Sequence, residues 1–261
     1  MNWENYLYPQ DEKPLDRLVE GYSNTSIFRT IAFVGDSMSS GEFETCDENG
    51  EHGFYDLFEY SFGQHIARKN GLTAHSFSRG GMTAREYING YAEEKGFWDP
   101  QKAAQAYVIA LGYNDLVCAK MDVGSTDDID PADHKNNDPT FAGYYAAIVA
   151  RYKEIAPDAK FFFMTFPKTG DQKLDSVAEK HAELLYSLAG YYENCYVIDM
   201  FRNAPIFDEA FKERFFMYGH MNPMGYLFIA KMLDSYIDYI IRHNSADFKT
   251  AGFINTDVKY K

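Results

Sequence analysis

The chain has 261 residues, of which 46% are hydrophobic, and its formal net charge is −14. This composition is that of a globular protein with a full core, and the acidic balance argues against nucleic acid or an anionic membrane as a partner. Three widely spaced cysteines argue against a disulfide framework and against a cysteine-type zinc site. The chain shows no signal-peptide pattern and no apolar run near the ~20 residues of a membrane span, so we expect a cytoplasmic protein.

Five apolar runs of strand length alternate with longer segments of helical period. The predicted strands are 30–35, 73–77, 106–112, 160–166 and 195–200, and the predicted helices are 54–69, 84–95, 141–156, 174–192 and 222–243. Because each predicted strand is a continuous apolar run, both of its faces should be covered. The alternation predicts a three-layer α/β/α fold with a central parallel five-stranded sheet of the flavodoxin-like type.

Three segments do not follow this alternation. We expect one domain over residues 1–261, with an N-terminal arm (1–26) and a C-terminal tail (244–261) packing on it. The third segment, 116–138, is long, polar and rich in Asp. Long loops without regular structure are usually functional or disordered. Since this one follows the third predicted strand, it should overhang the ligand crevice as a lid or specificity element that disfavours anionic substrates through its aspartates.

Four short polar motifs lie where parallel strands end or where the last helix begins. Ligands bind at the carboxyl ends of the strands in open α/β sheets, which makes these positions candidates for a site. Each motif alone is equally compatible with an ordinary turn. The motifs are Gly35-Asp36-Ser37, Gly80-Gly81, Tyr113-Asn114-Asp115 and Gly219-His220.

Together and in this order, the four motifs resemble the blocks of the SGNH (GDSL-like) hydrolase superfamily, esterase/lipase type. The resemblance implies that Ser37 is the nucleophile and His220 the general base. It also implies an oxyanion hole formed by the Ser37 N–H, Gly81 and Asn114. Gly81 fits the family's Gly-x-Thr spacing better than Gly80 does, although the register is open by one residue. A serine hydroxyl needs such a base, and a tetrahedral oxyanion needs such donors.

One departure from the family concerns the acid that orients the histidine. The family pattern Asp-x-x-His has Met217 at the acid position here. We therefore expect a Ser–His dyad in which a backbone carbonyl of residues 215–219 orients the His220 ring. The open alternatives are relocated acids: Asp208, Glu213 or Asp199.

The resemblance implies a serine-dependent ester hydrolase, either a carboxylesterase or a carbohydrate O-acyl or acetyl esterase. Its substrate would be a small-molecule ester, with acylated carbohydrate among the candidates. Asp36, Glu42 and Tyr113 are the predicted substrate contacts. The seven histidines show no metal-ligand spacing, so neither a metal nor another cofactor is expected. Two alternatives remain: a non-catalytic flavodoxin-like binding module with a decayed triad, and an acyltransferase that uses the same residues.

Overall fold

The strands of the computed structural model, which describes residues 3–258, form three sheets. Numbered along the chain, they are β1 Thr30–Gly35, β2 Glu42–Cys46, β3 His52–Asp56, β4 Thr73–Ser78, β5 Ala106–Ala110, β6 Lys160–Met164, β7 Cys195–Ile198, β8 Phe216–Met217 and β9 His220–Met221. The central sheet has the order β4-β1-β5-β6-β7, and its neighbouring strands are parallel. The predicted sheet is therefore confirmed, with β5, β6 and β7 each ending two residues earlier than predicted.

The helices lie on both faces of this sheet. They are α1 Ser37–Ser40, α2 Phe62–Asn70, α3 Ala84–Glu86, α4 Ala92–Glu94, α5 Phe141–Ile155, α6 Gln172–Tyr191, α7 Met200–Asn203, α8 Glu209–Phe215 and α9 Pro223–His243. Side chains of β1 alternate between two cores. Ala32 and Val34 pack in the cluster that contains α5, whereas Ile31 and Phe33 pack in the cluster that contains α9. This is the predicted three-layer α/β/α arrangement.

The helix predicted for 54–69 is wrong in its first part. The end of that prediction is α2, which Ser61 caps by accepting a hydrogen bond of 3.1 Å from the Gln64 N–H. Its beginning belongs instead to β3, which pairs antiparallel with β2. This β2–β3 hairpin was not predicted. The Leu57 N–H donates to the Gly41 carbonyl at 3.0 Å and closes the base of the hairpin, which directly follows α1.

The N-terminal arm and the C-terminal tail contact the α9 side of the sheet. Glu12 accepts a 2.6 Å hydrogen bond from Arg242, and Phe248 is buried in the same core cluster as α9. The ends of the predicted domain, residues 1–2 and 259–261, lie outside the described residues. No helix between residues 3 and 258 has the length and apolar character needed to cross a membrane.

Candidate active site

The turn after β1 carries Ser37. Gly35 permits the turn, since a Cβ on this residue would lie 2.5 Å from the Ser39 Cβ. Asp36 caps α1 by accepting a 3.1 Å hydrogen bond from the Met38 N–H. Ser37 is the first residue of α1 and is half-buried, and its Oγ makes no hydrogen bond within residues 3–258. The hydroxyl is thus free to engage another partner.

Asn114 follows β5, the neighbour of β1, and is held by two contacts. Its Nδ2 donates to the Met82 carbonyl at 3.2 Å and to Asp36 Oδ2 at 3.4 Å. Burial raises the pKa of Asp36 to about 7; the Met38 N–H opposes this rise and Asp115 adds to it. Because the contact with Asp36 is long, a ligand oxygen can compete for that amide hydrogen.

The two glycines after β4 differ in their surroundings. The Gly80 N–H donates to Asp56 Oδ2 at 3.3 Å, and a Cβ on Gly80 would lie 1.8 Å from Glu42 Oε2. Gly81 has a φ of 69°, which favours glycine, and its N–H has no hydrogen-bond partner in the described part of the chain. Of the two glycines, Gly81 is therefore the one whose N–H is free to donate to a ligand.

A cavity of about 530 Å³ opens at the carboxyl ends of β1, β5 and β6. It brings together five of the seven predicted site residues: Asp36, Ser37, Tyr113, Asn114 and His220. The Tyr113 side chain is exposed and packs edge-on against Phe166. Gly81 and Glu42 are not among the lining residues, although Glu42 reaches the site through His220. Much of the remaining lining is apolar and includes buried Phe62, Met200 and Ile229.

His220 lies on the β8–β9 hairpin and is fixed through its Nδ1. Glu44 Oε2 is 3.0 Å from His220 Nδ1 and also accepts the Gly219 N–H at 2.7 Å. Glu44 Oε1 is 2.6 Å from His52 Nδ1. Burial alone would raise the pKa of Glu44, but the hydrogen bonds from His220, Gly219 and His52 outweigh it, and the pKa is lowered. A charged carboxylate at Nδ1 favours the tautomer in which Nε2 can accept a proton.

Glu42 contacts the other ring nitrogen of the same histidine. Its Oε1 lies 3.0 Å from His220 Nε2. Burial raises the pKa of Glu42, His220 opposes this rise, and the neighbouring carboxylates of Asp56 and Glu44 add to it. Glu42 and Glu44 face the same side of β2 because side chains alternate along a strand. Phe43 between them points the opposite way and packs against Tyr226.

The prediction that a backbone carbonyl of residues 215–219 orients His220 is wrong, because a Glu44 oxygen lies at hydrogen-bond distance from Nδ1. The three alternative acids are engaged elsewhere or exposed. Asp208 caps α8 through the Phe211 N–H, Asp199 caps α7 and pairs with Arg202 at 2.8 Å, and Glu213 is exposed on α8. Glu44 was missed because the hairpin that carries it was missed.

One sequence signal could have revealed this hairpin. Asn49-Gly50 is a strong hairpin-turn pair, and Gly50 has a φ of 82°. Asp47 Oδ1 accepts the Asn49 N–H at 2.8 Å and the Glu51 N–H at 2.9 Å, which closes the turn. The alternation of Glu42, Phe43 and Glu44 before the turn is typical of a strand with one buried face.

The acidic segment 116–138 does not form the predicted lid. Only Val117 from this segment lines the cavity that contains Ser37. Ile129 is buried in the core, and residues 133–135 and 137 line a second cavity beside α5. Apolar anchors of this kind hold the segment against the body of the protein.

No metal site is found in the described part of the chain. Among residues 3–258, no group of three or more His, Cys, Asp or Glu side chains could hold a metal ion.

The sheet order, the three layers and the order of the motifs define an SGNH-type hydrolase fold. The chain belongs to the GDSL-like lipase/acylhydrolase family, whose model matches residues 33–227. The resemblance inferred from the four motifs is thereby confirmed. A comparison with curated proteins found no significant match.

Solved structures share the fold at low sequence identity. A putative lipolytic protein of the G-D-S-L family from Desulfitobacterium hafniense is 13% identical with a TM-score of 0.52, over 80% of this chain and 99% of its own. A family two carbohydrate esterase from Clostridium thermocellum, solved with cellohexaose, is 17% identical with a TM-score of 0.58, over 90% and 66%. A family 3 carbohydrate esterase from the same organism is 12% identical with a TM-score of 0.55, over 82% and 97%.

Proposed function

We propose that this protein is a serine-dependent ester hydrolase with a Ser37–His220–Glu44 triad. The observation that carries the proposal is the contact between Glu44 Oε2 and His220 Nδ1 at 3.0 Å, at the cavity that also exposes Ser37. A carboxylate on Nδ1 orients the ring and stabilises the imidazolium that forms during catalysis. The family's acid is therefore supplied by the β2–β3 hairpin, and not by the position that Met217 occupies.

The chemistry follows from these positions. His220 Nε2 removes the Ser37 Oγ proton as Oγ attacks the ester carbonyl carbon. The carbonyl oxygen becomes an oxyanion, for which we propose the N–H groups of Ser37 and Gly81 and the Asn114 Nδ2 as donors. The intermediate collapses, the carbon–oxygen bond to the alcohol breaks, and Nε2 returns the proton to the leaving oxygen. Water then hydrolyses the acyl-serine by the same steps and releases a carboxylic acid.

The proposed substrate is a small-molecule ester, with acylated carbohydrate as the leading class. The family match supports an ester substrate, and the carbohydrate class is suggested by fold-level neighbours whose names identify carbohydrate esterases. The alternative of a binding module with a decayed triad was motivated by Met217, and Glu44 removes that motive. We retain a cytoplasmic location and a single domain as predictions.

An organophosphonate probe tests the nucleophile directly. We expect covalent labelling at Ser37, mapped by mass spectrometry of the digested protein, together with turnover of p-nitrophenyl esters and acetylated saccharides. Ser37→Ala should abolish both, whereas Ser187→Ala, a matched change at an exposed position of α6, should leave both intact. An unlabelled wild-type protein that hydrolyses no ester would contradict the proposal and restore the binding module. Turnover that requires an added alcohol acceptor would identify an acyltransferase.

A further inference from the structure

The Glu42 carboxylate has few hydrogen-bond donors around it. Its side chain is 11% exposed, and its Oε1 lies 3.0 Å from His220 Nε2. Its neighbour on the same face of β2, Glu44, accepts a backbone N–H and contacts two histidine nitrogens. By contrast, no backbone N–H and no hydroxyl in residues 3–258 donates to the Glu42 carboxylate, and Nε2 is its one polar contact there. A largely buried carboxylate with so few donors gains from any donor that a ligand brings.

The position of Glu42 determines which part of an ester it can meet. In the proposed reaction, Nε2 protonates the leaving alcohol oxygen, so that oxygen must come within hydrogen-bond distance of Nε2. Glu42 Oε1 is itself 3.0 Å from Nε2, which places the carboxylate beside the alcohol half of the substrate. A hydroxyl on the carbon next to the one that bears the ester oxygen lies, in the gauche arrangement, about one hydrogen-bond length from that oxygen. Such a hydroxyl can donate to Glu42 while the ester oxygen faces Nε2.

Gly80 leaves room for this carboxylate on the side away from His220. Because a Cβ on Gly80 would lie 1.8 Å from Glu42 Oε2, the absence of a side chain is what makes room for the carboxylate. The pairing of β2 with β3 fixes the backbone of Glu42, since Glu42 is opposite Asp56 in the register. In addition, the Tyr226 hydroxyl donates to the Glu42 carbonyl at 2.7 Å. A carboxylate held in this way loses little conformational entropy when it accepts a ligand hydroxyl.

We propose that Glu42 selects esters of polyols by accepting a hydrogen bond from a free hydroxyl adjacent to the ester oxygen. The inference rests on the proposed ester hydrolysis and names its substrate class: monoacylated vicinal diols, which include partly acylated sugars and glycerol. An ester of a simple alkanol has no such hydroxyl and leaves the carboxylate without its donor. Hydrogen bonds to charged groups contribute enough to favour the hydroxylated ester by roughly 10- to 100-fold in kcat/KM.

A pair of matched substrates tests this inference. 2-Hydroxyethyl acetate and 2-methoxyethyl acetate differ by one methyl group, which removes the donor hydrogen of the adjacent oxygen. We expect wild-type kcat/KM to favour the hydroxy ester by roughly 10- to 100-fold, and Glu42→Gln to reduce this preference to a few-fold at most, because a neutral amide oxygen is a weaker acceptor. Glu48→Gln, a matched change at an exposed position in the turn of the same hairpin, should retain the wild-type ratio.

The ratio separates hydroxyl recognition from other roles of Glu42. If Glu42→Gln slows both esters equally, the carboxylate acts on His220 and not on the substrate, and the inference is wrong. Equal wild-type rates on the two esters would also overturn it while leaving the esterase proposal intact. If neither ester is hydrolysed and Ser37 remains unlabelled by the organophosphonate, both proposals fail. If the hydroxy ester is preferred as expected, glycerol monoacetate and a monoacetylated methyl pyranoside show which polyol is the better substrate.

Discussion

Two regions of the molecule meet at His220, and their residues are brought there by different kinds of structure. The first is the sheet edge, where Ser37 and Asn114 follow neighbouring parallel strands. The second is the β2–β3 hairpin, which carries Glu42 and Glu44 to the two nitrogens of the ring. Sheet topology by itself brings the residues of the first region together. The second region depends on a contact between residues 176 positions apart, and no local pattern reports such a contact.

In the proposed triad, the acid comes from the β2–β3 hairpin and the histidine from the β8–β9 hairpin. What the reaction requires is a carboxylate oxygen at Nδ1, whatever the chain position of the residue that supplies it. Met217 is 37% exposed and contributes no such oxygen. Substitutions in each region therefore test its contribution separately.

Ser37→Ala should produce the largest loss, on the order of 10⁶-fold in kcat, because it removes the atom that forms the covalent bond. The thermal midpoint should change little, since Oγ makes no hydrogen bond in the described structure. Hydrolysis of p-nitrophenyl acetate and a thermal unfolding curve measure the two quantities. Wild-type-like turnover by this variant would show that Ser37 is not the nucleophile.

Glu44→Gln tests the hairpin side. We expect kcat to fall by roughly 10²- to 10⁴-fold, because the amide cannot stabilise the imidazolium and favours the wrong tautomer. Substitution of Asp208, Glu213 or Asp199 by its amide should cost less than about tenfold, since none of these carboxylates contacts His220 in the structure. Steady-state kinetics on folded proteins, checked by circular dichroism, compares the four variants. A loss confined to one of the other three would identify that residue as the orienting acid.

Asn114→Ala should lower kcat by roughly 10²- to 10³-fold with little change in KM. The proposed role is to bind charge that develops only in the transition state. The two kinetic constants are measured on one p-nitrophenyl ester. An increased KM with an unchanged kcat would make Asn114 a substrate contact instead.

The two regions should also respond oppositely to pH. The raised pKa of Asp36, about 7, means that its contribution to stability is present below its unfolded pKa and is lost as the pH rises toward 7. The lowered pKa of Glu44 means that its contribution is present above its unfolded pKa and is lost as the pH falls. Asp36→Asn should therefore become more stable than wild type as the pH rises from 4 to 8, by up to roughly 4 kcal/mol. Urea unfolding across this range measures the difference, and a pH-independent difference would contradict it.

The residues at the sheet edge could be predicted from sequence patterns for a physical reason. Fully buried parallel strands must be continuous apolar runs, so their positions can be read from local composition, and the topology then determines which loops meet. The β2–β3 hairpin escapes this reasoning because it is small and carries charged residues where a core strand would be apolar. Glu42 and Glu44 then look like surface residues, although both are buried. They are covered by residues that approach from elsewhere in the chain, among them His220 and His52 and the glycines Gly80 and Gly219.

In the proposed mechanism, the contact between Glu44 and His220 also determines when the protein can become active. During synthesis, Ser37 and Glu44 leave the ribosome long before His220, and His220 is held by a small hairpin that precedes α9. The base can therefore be oriented only after nearly the whole chain has been made and both hairpins have docked. A partly synthesised or partly unfolded molecule would carry the nucleophile without an oriented base. In the proposed mechanism, such a molecule would be a poor ester hydrolase until the hairpins have docked.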